Sequence, residues 1–340
     1  MNIIDKQHYY FFNNINISSN ARIYVNTINS RSYDLGSYDK TLIIVHEFMY
    51  KYDYMMSLID KIVKSNTRVI AFDLTGHNCT SEIYKKFGLP IGPGNFRSGL
   101  CFDHPESNVE LENSTYQDIK IPNDYKMNSK FLSKKQNHYD FVDFEGISIL
   151  KKILGDYGLL NNKDENIFIL SHSIGSLNVF SSLLSYLGSW SNKDENIIKG
   201  IICLSPNLKD LRFQNKIFYN LLSFFWPGKL LNCDLKLTNE LEKSFLNDSK
   251  GRCTARSIKN IVNIQDLILK NAVNITVPSL IFHAKDDQIS SYDDSLNFFN
   301  ELNTDEKEFI TYDKGGHNLF IGDKSQEVIN KINSWMIEKL

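Results

Sequence analysis

The chain is 340 residues long, 42% hydrophobic and 23% charged, the proportions of a globular protein with a large core. Its net charge of -2, with no Lys/Arg block interleaved with aromatic residues, excludes nucleic acid as an expected partner. Five scattered cysteines (Cys79, Cys101, Cys203, Cys233, Cys253) form no C-x-x-C pair, which argues against a disulfide framework or a zinc site. The opening residues show no secretory pattern, and no run of about 18 apolar residues occurs, so the expected setting is cytoplasmic.

Residues 8–16 and 21–27 read as two strands joined by an Asn/Ser turn, an antiparallel hairpin. From Thr41 onward, short continuous apolar runs mark strands covered on both faces. Leu42-Ile43-Ile44-Val45 is the first of these. A helix with Met55, Leu58, Ile59 and Ile62 on one face follows, and then the strand Val69-Ile70-Ala71-Phe72. Strand, helix, strand of this kind implies a parallel sheet with right-handed crossovers. After a long polar stretch over 82–139 the alternation resumes. A helix over 141–157 carries the stripe Phe144, Ile147, Leu150 and Ile153, and leads to a strand over 167–170 and a helix over 174–187. Strands are expected over 198–204, 279–283 and 309–311, with helices over 290–302 and 324–340. Asp323 and Gln326 suggest a capping box for the last helix. Residues 206–274 interrupt the alternation and carry an amphipathic helix of their own, so they read as an inserted cap.

The segment Leu170-Ser171-His172-Ser173-Ile174-Gly175-Ser176 lies between an apolar strand and a helix, the context of a nucleophile elbow. Such a turn needs small neighbours, which Ser171 and Gly175 supply. It would lift Ser173 off the sheet edge at a helix N-terminus, where the dipole and free N–H groups favour a developing oxyanion. Downstream, Asp286-Asp287-Gln288-Ile289 and Gly315-Gly316-His317 each follow a strand. Serine, aspartate and histidine in that order form a triad, with Ser173 as nucleophile, Asp287 as acid and His317 as base. Asp286 competes with Asp287 for the acid's place. His46, His77 and His172 read as packing or hydrogen-bonding residues, and His104 as part of a solvated loop, because its spacing matches no metal-ligand pattern.

These motifs resemble those of the monoacylglycerol lipase and lysophospholipase branch of the α/β-hydrolases. That branch has G-H-S-M-G-G where this chain has Ser171-His172-Ser173-Ile174-Gly175-Ser176. Its H-G after the first buried strand is matched by His46-Glu47. Its D-x-x-G-H-G-x-S is matched by Asp73-Leu74-Thr75-Gly76-His77-Asn78-Cys79-Thr80, and its V-P-x-L by Val277-Pro278-Ser279-Leu280. Asp287-Gln288-Ile289 fits the branch's D-x-[IV]. The resemblance covers most of the chain from Thr41 onward, apart from 82–139. It implies an α/β-hydrolase fold, a mostly parallel sheet with helices on both faces. The core would span 1–205 and 275–340, with the cap over 206–274. The implied reaction is hydrolysis of a carboxylic ester with a lipid-like acyl chain, of monoacylglycerol or lysophospholipid type. It would run through an acyl-Ser173 intermediate without metal or organic cofactor. The same triad would also serve a thioesterase or acyltransferase, and a binding module on this fold is a reading from another class. By position, the oxyanion hole would use the backbone N–H groups of Ile174 and Phe48. In the cap helix, Phe218, Leu221, Leu222 and Phe225 form an apolar stripe expected to pack on the body, with Phe218, Leu222 and Phe225 as candidate substrate contacts. Surplus Phe224 and Trp226 suggest a second apolar surface, for an acyl chain or for peripheral membrane contact.

Glu47 is the largest departure, standing where the branch has glycine. Two pictures are open. Its side chain strains or crowds the loop carrying Phe48, or its carboxylate fixes that loop by accepting from backbone N–H groups.

Overall fold

The computed structural model describes residues 9–17, 21–29, 39–47, 55, 58, 61–62, 67–72, 150, 154, 166–184, 198–232 and 252–340. The strands, in chain order, are β1 (Tyr9–Ile17), β2 (Ala21–Asn29), β3 (Lys40–Val45), β4 (Thr67–Phe72), β5 (Asn166–His172), β6 (Ile198–Leu204), β7 (Leu230–Asn232), β8 (Arg252–Thr254), β9 (Ser279–Ala284) and β10 (Lys307–Tyr312). The helices are α1 (Gly175–Ser182), α2 (Lys216–Phe225), α3 (Ala255–Lys270), α4 (Tyr292–Glu301) and α5 (Ser325–Glu338).

Eight strands form one sheet in the order β1-β2-β4-β3-β5-β6-β9-β10. From β4 to β10 every neighbouring pair is parallel, whereas β1, β2 and β4 are joined antiparallel. The continuous apolar runs form the buried centre. Every residue of β3 and β9 is buried, and Leu42, Ile43, Phe168, Ile169, Ile201 and Phe282 belong to one core cluster. Edge strand β10 is only half-buried, and it carries Lys307 and Glu308 where an unpaired edge needs protection. This is the α/β-hydrolase fold.

Met55, Leu58 and Ile62 are buried against the sheet, as are Leu150 and Leu154. Ile59, Phe144, Ile147 and Ile153 lie outside the described residues, as does the excursion 82–139. No helix among the described residues is long and apolar enough to cross a membrane.

Three expectations are corrected. The capping box of Asp323 and Gln326 is absent: Lys324 is the N-cap of α5 without a side-chain bond, and the Gln326 amide donates to Asn330 instead. The cysteines are not all unpaired, since Cys253 is disulfide-bonded. The apolar stripe of α2 does not pack on the body. Phe218, Leu221 and Phe225 are exposed, together with Ile217, Phe224 and Trp226, and only Leu222 of the stripe is half-buried. The packed face of α2 is built from small and polar groups instead. Ser223 is buried, Tyr219 meets Phe213 edge to face, and Lys216 is ion-paired with Asp266 of α3. α3 in turn packs on α1, burying Ile258, Ile261, Gln265 and Ile268.

Candidate active site

The parallel strands all end at one edge. Val45 pairs with Ser171 and Phe72, Ser171 with Cys203, and Ala284 with Tyr312, so the loops after β3, β5, β9 and β10 converge there. Ser173 follows β5 in the left-handed region, at φ 53, a conformation costly for a residue with a Cβ and common at nucleophile turns. The turn is held by its neighbours. Ser173 N–H donates to the Leu204 carbonyl at 3.0 Å, and the Ser173 carbonyl accepts from Ser176 at 3.0 Å and Asn207 at 3.1 Å. A Cβ at position 175 would lie 2.5 Å from the Val45 oxygen and 2.6 Å from that of His46, so only glycine lets α1 start this close to β3. Ile174 is the N-cap of α1, and its N–H takes no part in the backbone bonds of the turn. Phe48 lies outside the described residues.

His317 arrives on the loop after β10, where Gly316 takes a φ of 64. The loop is anchored by Asp286, whose Oδ1 accepts from the N–H groups of Gly315 at 3.0 Å and Gly316 at 2.8 Å. Asp287 is the aspartate that faces the histidine. Its Oδ2 lies 2.8 Å from His317 Nδ1 and 3.1 Å from His283 Nε2, while Oδ1 accepts from Ile289 at 2.8 Å and Ser290 at 3.1 Å. Burial alone would raise the Asp287 carboxyl, but the His317 and His283 rings outweigh it and hold it well below the usual carboxylate range. On the other side of the imidazole, His317 Nε2 stands 2.8 Å from Ser173 Oγ. Ser173, His317 and Asp287 are all buried and form one connected line.

A fourth side chain enters this line. Glu47, two residues beyond β3 and buried, has Oε1 3.1 Å from His317 Nε2 and Oε2 3.4 Å from His172 Nδ1. Its backbone is not in the left-handed region, so it carries no φ strain. Its carboxylate oxygens face imidazoles and not backbone N–H groups, and whether its side chain crowds the loop carrying Phe48 lies outside the described residues. Burial would raise the Glu47 carboxyl, yet His317, His172 and the charge of Arg212 together hold it below its ordinary value. For His317, burial would lower the pKa, but the carboxylates of Asp287 and Glu47 prevail and raise it to about 10. Burial brings His172 down to about 4, partly offset by Glu47. Among the described residues, Glu47, His172 and His317 are the group whose donor atoms, all within 4.8 Å of one another, could hold a metal ion.

Beyond Glu47, the sequence reading passed over Arg212, Asp210, Asn207 and Gln265. Buried Asp210 accepts from the Arg212 side chain and from the Asn207 amide, and Gln265 of α3 donates to Asn207 at 2.8 Å. Asn207 also binds the Ser173 carbonyl, so this polar network ties 206–274 to the elbow. Asn207, Asp210 and Arg212 are close in sequence, but their partners Gln265 and the Ser173 carbonyl lie tens of residues away, so the sequence offered no signal for the network. Phe218, Leu222 and Phe225 sit on α2, with Phe218 and Phe225 on its outer face.

A sequence search of curated proteins returned no match. In fold, the chain is similar to the monoacylglycerol lipase of Paleococcus ferrophilus, at 17% identity and TM-score 0.63, covering 94% of this chain and 99% of that one. It is similar also to a soluble variant of monoglyceride lipase from Saccharomyces cerevisiae in complex with a substrate analog, at 16% identity and TM-score 0.65, covering 98% and 97%. A third is a thermostable carboxyl esterase from Bacillus coagulans, at 13% identity and TM-score 0.60, covering 98% of each chain. The family described as serine aminopeptidase, S33 (Hydrolase_4), matches residues 151–325, which contain the elbow, the acidic turn and the histidine loop. Since that match spans just over half of its length, the chain belongs to this family of α/β-fold hydrolases.

Proposed function

We propose that the chain is a serine hydrolase that cleaves carboxylic esters with a lipid-like acyl chain, of monoacylglycerol or lysophospholipid type. One observation carries the reading: the unbroken line from Ser173 Oγ through His317 to Asp287, with both hydrogen-bonding contacts at 2.8 Å. In this reading Ser173 Oγ attacks the ester carbonyl while its proton passes to Nε2 of His317. Asp287 holds the Nδ1 proton and balances the imidazolium. The N–H groups of Ile174 and Phe48 receive the oxyanion. The alcohol leaves with the proton from His317, and water, activated by the same ring, releases the acid from Ser173. Residues 206–274 serve as the cap. The outward apolar face of α2, with Phe224 79% and Trp226 63% exposed, supports a lipid aggregate or membrane surface as the source of substrate.

The test is a fluorophosphonate probe followed by a panel of p-nitrophenyl esters of graded chain length. Labelling at Ser173 and a preference for longer acyl chains are expected. Absence of labelling in folded, chelator-treated protein overturns the reading. It favours instead a non-catalytic binding module, for which the Glu47 carboxylate against the proposed base is the supporting observation. Faster turnover of thioesters, or acyl transfer to added alcohols, would move the assignment to a thioesterase or acyltransferase on the same triad.

A further inference from the structure

The surroundings of His172 demand one more proton than its neutral ring holds. Nε2 faces the carbonyl oxygen of His317 at 3.3 Å, and Nδ1 faces Oε2 of Glu47 at 3.4 Å. Both oxygens are acceptors, and a neutral imidazole has a single N–H to offer. With that N–H given by Nε2 to the carbonyl, the Nδ1 lone pair points at a carboxylate. Neither His172 Nδ1 nor Glu47 Oε2 has a hydrogen-bond partner among the described residues, and both are buried. The other Glu47 oxygen is turned to His317 Nε2. One donor atom from each of Glu47, His172 and His317 therefore lies within 4.8 Å of the other two.

Two imidazole nitrogens and a carboxylate oxygen are the donors that ions of zinc's class take readily. Ligand atoms about 2.0–2.1 Å from a tetrahedral ion stand about 3.4 Å apart. The two Glu47 oxygens lie 3.1 Å from His317 Nε2 and 3.4 Å from His172 Nδ1, respectively, and one atom from each residue falls within 4.8 Å of the others, so small side-chain shifts would close the group on an ion. The supporting bonds that orient such ligands are in place. His172 Nε2 is set by the His317 carbonyl, and His317 Nδ1 by Asp287. Ser173 Oγ stands beside the cluster, where an ion bound by three protein groups keeps an open position. The Arg212 charge is balanced by Asp210 and does not oppose a cation alone.

We propose that Glu47, His172 and His317 form a binding site for a divalent transition-metal ion of zinc's class, and that the bound ion switches Ser173 off. The ion displaces the Nε2 proton of His317 to solvent and takes the freed lone pair, so the ring cannot accept the serine proton. This inhibition rests on the role proposed above for His317; the binding site itself does not.

The experiment titrates the chelator-treated full chain with Zn²⁺ against a chromogenic zinc indicator, and in parallel with Co²⁺ followed by absorption. One equivalent should bind to wild type and to Ser173→Ala alike. The cobalt spectrum should show visible ligand-field bands without the near-ultraviolet charge-transfer band of a thiolate, which separates this site from the cysteines. Glu47→Gln, which keeps the side chain's shape, and His172→Ala should each weaken binding beyond the roughly 10–100-fold that loss of an outer partner costs. Circular dichroism melts confirm that the variants are folded. Unchanged affinity in Glu47→Gln, or a thiolate band, overturns the site. Fluorophosphonate labelling of wild type should fall as one equivalent of Zn²⁺ is added and return with chelator. Labelling that persists at saturation overturns the switch. Protein that is unlabelled even when metal-free contradicts the hydrolase reading and leaves the site standing on the binding data.

Discussion

Glu47 Oε1 lies 3.1 Å from the same His317 nitrogen that stands 2.8 Å from Ser173 Oγ. A buried negative charge at that point stabilises the imidazolium. Together with Asp287, and against the effect of burial, it lifts His317 to about 10. The other charged or titratable groups around the ring are His172, at 5.0 Å between centroids, and Arg212, whose charge acts on Glu47 and Asp287. A histidine with a raised pKa is protonated below it and becomes a base only as pH rises through it. Ester hydrolysis in chelator-treated buffer should therefore keep rising with pH well above the ordinary histidine range. Glu47→Gln removes the charge and should move the rising limb toward neutrality, with about tenfold more basic ring at pH 7 per unit of lowering. Superimposable pH profiles of kcat/KM for the two proteins would refute this coupling.

Ser173→Ala should abolish nearly all esterase activity, on the order of 10⁴-fold or more, because nucleophile and base act as a unit. Stability should change little, since among the described residues the hydroxyl's bond is to His317 alone. Folded variant keeping more than roughly a tenth of wild-type kcat, against that expected loss, would sink the assignment.

Asp287 and Asp286 should separate cleanly. Asp287→Asn presents the wrong tautomer of His317 and should cost about 10⁴-fold in kcat. Asp286 instead accepts from the N–H groups of Gly315 and Gly316. Asp286→Asn should loosen the histidine loop, with a smaller fall in kcat and a lower melting temperature. Side-by-side kcat values and melts decide it; the reverse ranking would transfer the acid's role to Asp286.

The outer face of α2 should matter for aggregated substrate alone. Phe224→Asp with Trp226→Ser should reduce co-sedimentation with phospholipid vesicles and hydrolysis of long-chain ester above its solubility limit. Hydrolysis of a soluble short-chain ester should stay unchanged, because neither residue packs on the body. Equal vesicle binding by variant and parent would remove the lipid-surface role.

The alternation of strands and helices, the elbow and the order Ser173, Asp287, His317 were all legible in the chain. Each is written in contiguous residues: an apolar run for a strand buried on both faces, small residues where a turn is tight, a polar turn after a strand. The boundaries moved by a few residues where local chemistry intervened, as at α4, where the Ser291 side chain caps the helix by accepting from Asp294 and delays its start to Tyr292. The choice between two adjacent aspartates rested on the resemblance of Asp287-Gln288-Ile289 to D-x-[IV]; the physical reason, which carboxylate the folded turn aims across 30 residues at His317, was not local. Nor was the fate of α2. Hydrophobic spacing shows that a helix has an apolar face without saying which way it turns, and here Ser223 and the Lys216–Asp266 pair hold the other face inward. Glu47 is the sharpest case. It was visible as a departure from a glycine, but its partners lie 270 and 125 positions away. Only the convergence of β3, β5 and β10 at one sheet edge sets its carboxylate against two imidazoles.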